Sequence, residues 1–224
     1  MRSGRWYRSH FATRFTRHRV ARATGAAFTA EASPYYLFQP LAAQRAAAML
    51  PSSTRFVILL RDPVERTVSH WSEQTRNGVE TLSLRDALAA ENDRVGDDAN
   101  HLRAGGIETS HAHEQQSYVT QSFYADSIRR WTDAVGADRV LIHYSEDYYR
   151  EPAATVNAVT EALGIAPMDA PVGEHRNAAP RASTLDADLD TELTARFRSD
   201  VDAIAQIVGA RPPWPRFNTP VTDR

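Results

Sequence analysis

The chain alternates between short apolar runs and longer stretches in which apolar residues recur every three or four positions. Residues 55–60 (RFVILL) and 140–144 (VLIHY) are short and continuously apolar, which predicts parallel strands that are buried on both faces. Helical spacing of apolar residues predicts helices over 5–15, 41–50, 84–94, 123–135, 151–163 and 189–208. A further short strand is predicted over 26–31. Together these elements favour an α/β fold with a mainly parallel central sheet flanked by helices.

A polar stretch separates two of the predicted helices. Residues 97–116 contain Gly105, Gly106 and three histidines, which predicts a flexible surface loop. The 224 residues fit one ordinary domain, and we find no internal repeat, so we expect a single domain over 1–224.

The composition excludes several kinds of chemistry. There is no cysteine, which excludes a disulfide scaffold, thiolate catalysis and cysteine-ligated metal clusters. All 26 basic residues are arginine, so a lysine Schiff base and a complete Walker phosphate-binding loop are also excluded. No apolar run approaches the length of a membrane-spanning helix. We therefore expect a cytoplasmic protein with no membrane partner.

Positive charge is concentrated at the start of the chain. Seven arginines precede Glu31, the first acidic residue, whereas the net charge of the whole chain is −2. Such an arginine-rich start is typical of a transit peptide, but its aromatic residues at near-helical spacing favour a folded face that meets an anionic ligand or partner. The stretch is short and carries no recognised nucleic-acid-binding motif, so we expect no nucleic-acid partner.

The segment that follows the strand over 55–60 carries the clearest candidate chemistry. Arg61 stands at the carboxyl end of that strand, where open α/β sheets bind ligands, and Asp62 and Pro63 predict the start of a helix. Two turns later, Ser69 lies on the same side of this helix as Asp62. A guanidinium and a hydroxyl that converge in this way can hold a phosphate. An Arg61–Glu65 ion pair with an exposed Ser69 explains the pattern equally well.

Other titratable residues are weaker candidates. Glu31 follows the predicted strand over 26–31 and can orient or deprotonate an acceptor hydroxyl, unless it is an ordinary solvated carboxylate. His10 and His70 are possible bases, but their helical settings favour packing or surface roles. His111 and His113 have metal-binding side chains without a rigid third ligand, so we expect no metal site.

Five segments of the chain form a pattern that can be compared with known families. They are residues 6–11 (WYRSHF), 31–36 (EASPYY), 61–66 (RDPVER) with Ser69, 124–131, and 145–147 (SED). In this order they resemble the sulfotransferase family, in particular the branch with the heparan sulfate sulfotransferases and their bacterial relatives. The most specific segment is RDPVER with the serine that follows it.

The resemblance implies a three-layer α/β fold of the P-loop type and a reaction. The family transfers a sulfuryl group from 3′-phosphoadenosine 5′-phosphosulfate to an acceptor, here a hydroxyl of a carbohydrate or small molecule, by in-line displacement without a metal. Arg61 and Ser69 match the residues that bind the 3′-phosphate. Arg181 falls in the later loop that closes over the cofactor, which implies a second phosphate contact.

One part of the family pattern is missing. The family begins with a strand, a Gly-Thr-rich loop that holds the 5′-phosphosulfate, and a Lys-Glu segment whose glutamate is the general base. This chain starts at the point where that segment should have ended, so we expect an N-terminally truncated domain without the first strand and phosphosulfate loop. Either the reading frame starts elsewhere, or the chain is an inactive homologue that binds only the nucleotide 3′-phosphate. The oligomeric state cannot be predicted.

Overall fold

A computed structural model describes residues 9–25, 27–166 and 185–218. The chain divides into two compact units, residues 1–34 and 35–224. The described part of the first unit contains helix α1 (Arg14–Thr24), which begins where the Thr13 hydroxyl accepts a hydrogen bond from the Thr16 N–H at 3.2 Å. The helix ends at Gly25, whose φ of 81° is the left-handed conformation favoured by glycine.

Two predictions for the first unit are wrong. The helix predicted over 5–15 begins only at Arg14 among the described residues, because Thr13 supplies the N-cap. Residues 27–31 form no strand, and no described strand pairs with them. Apolar side chains alone do not make a strand, because its backbone N–H and C=O groups need a partner.

The second unit contains two strands and ten helices within its described residues. The strands are β1 (Phe56–Leu60) and β2 (Val140–Tyr144). The helices are α2 (Ala42–Met49), α3 (Pro63–Arg76), α4 (Leu84–Val95), α5 (Asp98–Ala104), α6 (His111–Gln115), α7 (Ala125–Val135), α8 (Ser145–Arg150), α9 (Pro152–Ala162), α10 (Ala187–Val208) and α11 (Pro215–Asn218). Single 3-10 turns lie at Pro34–Tyr36, Thr120–Ser122 and Ala137–Arg139.

The two strands form a parallel pair, as predicted. Phe56 lies opposite Val140, and Leu60 lies opposite Tyr144, so the carboxyl ends of both strands meet at one edge. The prediction that β1 is buried on both faces is wrong. Ile58 and Leu60 are buried, whereas the side chains on the other face, Val57 and Leu59, are 47% and 54% exposed. The described chain therefore covers only one face of β1 well.

The main core lies against the buried face of β1. It contains Val64 and Val68 of α3, Ile128 of α7, and a stripe of buried residues along α10. The stripe recurs every three or four positions, which the sequence predicts: Leu189, Leu193, Phe197, Val201 and Ile204. Trp71, Trp131 and Phe197 are buried, which confirms the core role predicted for them.

The loop predicted over 97–116 contains two short helices, α5 and α6. Gly105, whose φ is 73°, is the C-cap of helix α5, and Ser110 is the N-cap of helix α6. The Ser110 hydroxyl links the two helices, because it donates to Asp98 and accepts from the His113 N–H at 2.9 Å. Leu102 and His113 are buried. Tertiary packing therefore orders a segment whose polar composition predicts a loop.

Candidate functional site

The start of α3 is built as the sequence predicts. The Asp62 carboxylate accepts hydrogen bonds from the Val64 N–H at 2.9 Å and the Glu65 N–H at 3.1 Å, and Pro63 occupies the first helical position. The free N–H groups at the start of a helix often bind anions. Here Asp62 already takes two of them, so an anion beside α3 must be bound mainly by side chains.

Arg61 presents a weakly held guanidinium at the end of β1. Its backbone carbonyl accepts a 3.0 Å hydrogen bond from the Tyr124 hydroxyl, which fixes the backbone. Its side chain donates to Glu65 over a long 3.5 Å, and both side chains are 36% exposed. Exposed ion pairs of this kind contribute at most about 1 kcal/mol, so an anionic ligand can displace Glu65.

Ser69 lies further along α3, one turn beyond Glu65. Four residues advance a helix by about 6 Å, and helical side chains lean towards the N-terminus, which in this helix is the direction of Arg61. Within the part of the chain that the structure describes, the Ser69 hydroxyl has no hydrogen-bond partner. Ser69 thus lies one helical turn beyond Glu65, the residue that the Arg61 guanidinium contacts.

Arg66 faces the protein rather than a ligand. The spacing along α3 predicts that it clusters with Ser69 on one face of the helix, but its guanidinium donates to the Tyr118 carbonyl and the Ser122 hydroxyl, both at 3.2 Å. Its neighbour Thr67 is fully buried and donates to the Pro63 carbonyl at 2.7 Å. Arg66 therefore holds α3 against the segment that contains Tyr118, a role that the motif alone does not reveal.

His70 and His113 are uncharged at neutral pH. Burial, together with the nearby charge of Arg66, lowers the pKa of His70 to about 3, and its ring packs against Tyr118 at a centroid distance of 5.1 Å. Burial also lowers the pKa of His113 to about 4, and its Nδ1 lies 2.7 Å from the Tyr35 hydroxyl. An imidazole with so low a pKa is a weak general base at pH 7. Packing explains both residues.

The C-terminal helix α11 joins the start of α3 through charged groups that sequence reasoning missed. Arg216 donates to Asp62 at 2.8 Å and to Glu65 at 3.1 Å, and it also pairs with Asp190. Burial raises the pKa of the Asp62 carboxyl, and the charge of Arg216 opposes that rise. Nothing in the local sequence marks this contact, because residues 62 and 216 are 154 positions apart.

Glu146 is a second group that fixes the start of α3. One carboxylate oxygen accepts the Asp62 N–H at 2.9 Å, and the other accepts the indole N–H of the fully buried Trp214 at 3.0 Å. Glu146 lies in helix α8, directly after β2. Glu146 belongs to the SED segment, one of the segments in which the sequence resembles the sulfotransferase family. That match predicts where Glu146 lies along the chain, but it does not predict its hydrogen-bond partners.

Two predicted site residues remain, Glu31 and Arg181. Glu31 belongs to the first unit, where it is exposed and outside regular secondary structure. Arg181 lies outside the described residues. The phosphate role of Arg61 and Ser69, the catalytic role of Glu31 and the cofactor role of Arg181 all stay predictions. Among the described residues, no group of three or more His, Cys, Asp or Glu side chains is placed to hold a metal.

The described residues also form two surface depressions. One is lined by residues between Asp202 and Arg211, and the other by Trp71 and residues at the starts of α4 and α10. Neither includes Arg61 or Ser69, so neither is the predicted phosphate site.

Comparison with known proteins identifies the family. A family model described as a sulfotransferase domain matches residues 28–181, more than half of the chain. The chain belongs to the sulfotransferase family. A solved structure of a sulfotransferase from Alicyclobacillus acidocaldarius superposes with a TM-score of 0.63 and 28% sequence identity, covering 80% of this chain and 63% of that one. This similarity confirms the α/β fold expected for a sulfotransferase.

A curated human relative is also similar to this sulfotransferase chain. It is the bifunctional heparan sulfate N-deacetylase/N-sulfotransferase 1 of Homo sapiens, with 28% identity over 138 residues, which are 62% of this chain and 14% of the relative. The chain thus spans a small part of that relative and somewhat under two thirds of the bacterial structure. No helix in the described parts of the chain has the length and apolarity needed to cross a membrane.

Proposed function

We propose that the chain is a sulfotransferase domain that binds 3′-phosphoadenosine 5′-phosphosulfate with its 3′-phosphate on Arg61 and Ser69. Membership of the sulfotransferase family supports the reaction class. The observation that carries the cofactor assignment is the weakly paired guanidinium of Arg61 at the carboxyl end of β1, whose partner Glu65 lies one helical turn before Ser69. The proposed acceptor is a hydroxyl of a carbohydrate or small molecule. The heparan sulfate named for the human relative supports a carbohydrate, whereas the N-sulfotransferase in the same name points to a nitrogen acceptor, so the two acceptor groups must be compared directly.

The electrostatics of Arg61 suit reversible binding of a phosphate. In the free protein the guanidinium rests against Glu65 at 3.5 Å, where solvent screens the pair. A phosphate dianion offers shorter, charge-assisted hydrogen bonds to the same guanidinium, and Ser69 adds a neutral donor. Binding therefore exchanges a weak ion pair for a stronger one.

The proposed reaction is an in-line displacement. A bond forms between the acceptor oxygen and sulfur while the bond between sulfur and the bridging phosphate oxygen breaks, so adenosine 3′,5′-bisphosphate leaves. The proton of the acceptor hydroxyl passes to a base, and Glu31 is the candidate that the sequence offers. Arg61 and Ser69 hold the nucleotide and take no part in the proton transfer.

The phosphate role is tested by calorimetry with two nucleotides that differ only in the 3′-phosphate. For adenosine 3′,5′-bisphosphate we expect Arg61→Ala to raise Kd about thirtyfold and Ser69→Ala about fivefold. Adenosine 5′-monophosphate should bind both variants as it binds the parent protein. Arg129→Ala is the matched control, because Arg129 is another partly exposed arginine in an ion pair, with Asp126 at 2.9 Å. An unchanged Kd in Arg61→Ala, or equal losses for both nucleotides, contradicts the assignment.

The acceptor class is tested by transfer of radiolabelled sulfuryl groups to paired oligosaccharides. One member of each pair carries free amino groups, and the other is N-acetylated and offers hydroxyls alone. Label in the N-acetylated member supports the hydroxyl acceptor. Label in the free amine alone overturns it and matches the N-sulfotransferase activity that the human relative is named for. Absence of label in every acceptor argues against transfer by this chain.

A further inference from the structure

The guanidinium of Arg216 is divided among three carboxylates. Its Nε donates to Asp62 at 2.8 Å, its Nη2 donates to Glu65 at 3.1 Å, and its Nη1 pairs with Asp190. The Arg216 side chain is 22% exposed and that of Asp62 is 8% exposed, so solvent screens their contact less than it screens the Arg61–Glu65 pair. One rigid fork therefore satisfies three acidic groups beside the proposed phosphate site.

This arrangement changes the charge that an arriving phosphate meets. Asp62 and Glu65 both follow Arg61 in the sequence, and Glu65 is bonded to Arg61 as well as to Arg216. If Arg216 were missing, Glu65 would have Arg61 as its cationic partner among the described residues and would hold it more strongly. Both carboxylates would also repel a phosphate dianion. A working phosphate site at Arg61 thus needs a second cation on Glu65.

We infer that Arg216 is a positioning residue for the nucleotide site. Its hydrogen bonds hold the carboxylates of Asp62 and Glu65 and its charge offsets part of theirs, so that the Arg61 guanidinium is available to the 3′-phosphate. The inference rests on the proposed function, because it takes Arg61 as the phosphate ligand. Arg216 itself acts through Glu65 and need not touch the nucleotide.

The position of Arg216 is fixed by packing that is independent of these carboxylates. It lies two residues after Trp214, which is fully buried and donates its indole N–H to Glu146. Glu146 also accepts the Asp62 N–H, so one carboxylate aligns the start of α3 with the segment that carries Arg216. A lysine at position 216 would keep the charge but lack three nitrogens in a fixed fork.

A rescue experiment separates this role from a merely structural one. We expect Arg216→Met to raise Kd for adenosine 3′,5′-bisphosphate about tenfold, and Arg216→Lys about threefold. Adding Glu65→Gln to Arg216→Met should restore Kd to within about threefold of the parent value, because a neutral side chain no longer competes for Arg61. Arg129→Met is the matched control, since Arg129 is another partly exposed arginine in an ion pair, with Asp126 at 2.9 Å, and its Kd should not change.

The outcomes distinguish this inference from the proposed function. If Arg61→Ala weakens binding while Arg216→Met and Arg216→Lys do not, Arg216 has no positioning role. If Arg216→Met weakens binding and Glu65→Gln fails to rescue it, the loss is structural and the inference is wrong. If Arg61→Ala has no effect, the phosphate site itself is misassigned and the inference falls with it. Arg216→Lys supplies the same test if thermal unfolding shows that the methionine variant does not fold.

Discussion

Two glutamates, one in the first turn of helix α3 and one just beyond its end, differ in burial and in the strength of their contacts. The Glu80 side chain, just beyond the end of α3, is fully buried and accepts hydrogen bonds from Arg94 at 2.5 Å, the Tyr118 hydroxyl at 2.8 Å and two backbone N–H groups. The Glu65 side chain, in the first turn, is 36% exposed and is shared by Arg61 at 3.5 Å and Arg216 at 3.1 Å. Glu80 has several short bonds that no ligand can reach, whereas Glu65 has longer bonds that a ligand can exchange.

The difference shows how one helix serves both stability and binding. Tyr118, which Glu80 holds through its hydroxyl, accepts hydrogen bonds from Arg66 and Thr67 through its carbonyl. The buried network therefore fixes one side of α3. The exposed side can then exchange one anion for another without loss of structure, which a phosphate site requires.

The largest effect on stability should come from Glu80→Gln. Burial alone would raise the pKa of Glu80, but hydrogen bonds from Arg94, the Leu82 N–H and Tyr118 lower it to about 2. Because the folded pKa lies below the unfolded value of about 4.3, the ionised group stabilises the fold fully above about pH 5 and less as pH falls towards 2. We expect Glu80→Gln to reduce the free energy of unfolding by about 3 kcal/mol at pH 7.

Urea unfolding of Glu80→Gln and of the parent protein at a series of pH values checks this prediction. The deficit of Glu80→Gln should shrink as pH falls from about 5 towards 2, because protonation then removes the same charge from the parent protein. A deficit that stays constant over this range would show that the charge of Glu80 does not matter.

A smaller effect is expected for Thr67→Val, which keeps the shape and removes a buried hydroxyl. That hydroxyl donates to the Pro63 carbonyl at 2.7 Å and lies 2.9 Å from the Ser122 hydroxyl. Its loss should reduce the free energy of unfolding by about 1 kcal/mol. Ser69→Ala removes a hydroxyl from the same helix that has no partner among the described residues, and its unfolding midpoint should not change. Equal losses in the two variants would erase the distinction between the two sides of α3.

Glu65→Gln should affect stability less than Thr67→Val does. Its ion pairs are partly exposed, so the free energy of unfolding should change by less than about 0.5 kcal/mol. The same change frees Arg61 from a competing carboxylate, and the affinity for adenosine 3′,5′-bisphosphate should rise about threefold. Calorimetry and urea unfolding of one preparation measure both quantities. Weaker binding, or a loss of stability like that of Glu80→Gln, would contradict the exchangeable role of Glu65.

The sequence predicts the local part of the site well. The apolar run that forms β1, the Asp62 cap and Pro63 depend on interactions within a few residues, so the strand and the start of α3 follow from the pattern. The parallel pairing with β2 also follows, because its short apolar run marks a second strand of the same kind. The phosphate role of Arg61 and Ser69 remains a prediction that the resemblance supports and binding must test.

Long-range contacts could not be predicted in the same way. Arg216 and Glu146 meet α3 only in the folded chain, and nothing near them in the sequence names their partners. Residues 97–116 are another case in which local sequence patterns do not predict the packing. Their helices are short and depend on the buried Leu102 and His113 for packing, although Gly105 at the end of α5 is a helix-ending signal in the sequence.

The distance along the chain between Arg216 and Asp62 has a consequence for the order of folding. The Asp62 cap closes over two or three residues, whereas the contact with Arg216 spans 154. Because closing a long loop costs more entropy than closing a short one, we expect the Asp62 cap to form before the contact with Arg216 does. Until that contact closes, Asp62 and Glu65 lack the charge of Arg216, so on the proposed function we expect a partly folded chain to bind the nucleotide less tightly than the finished one.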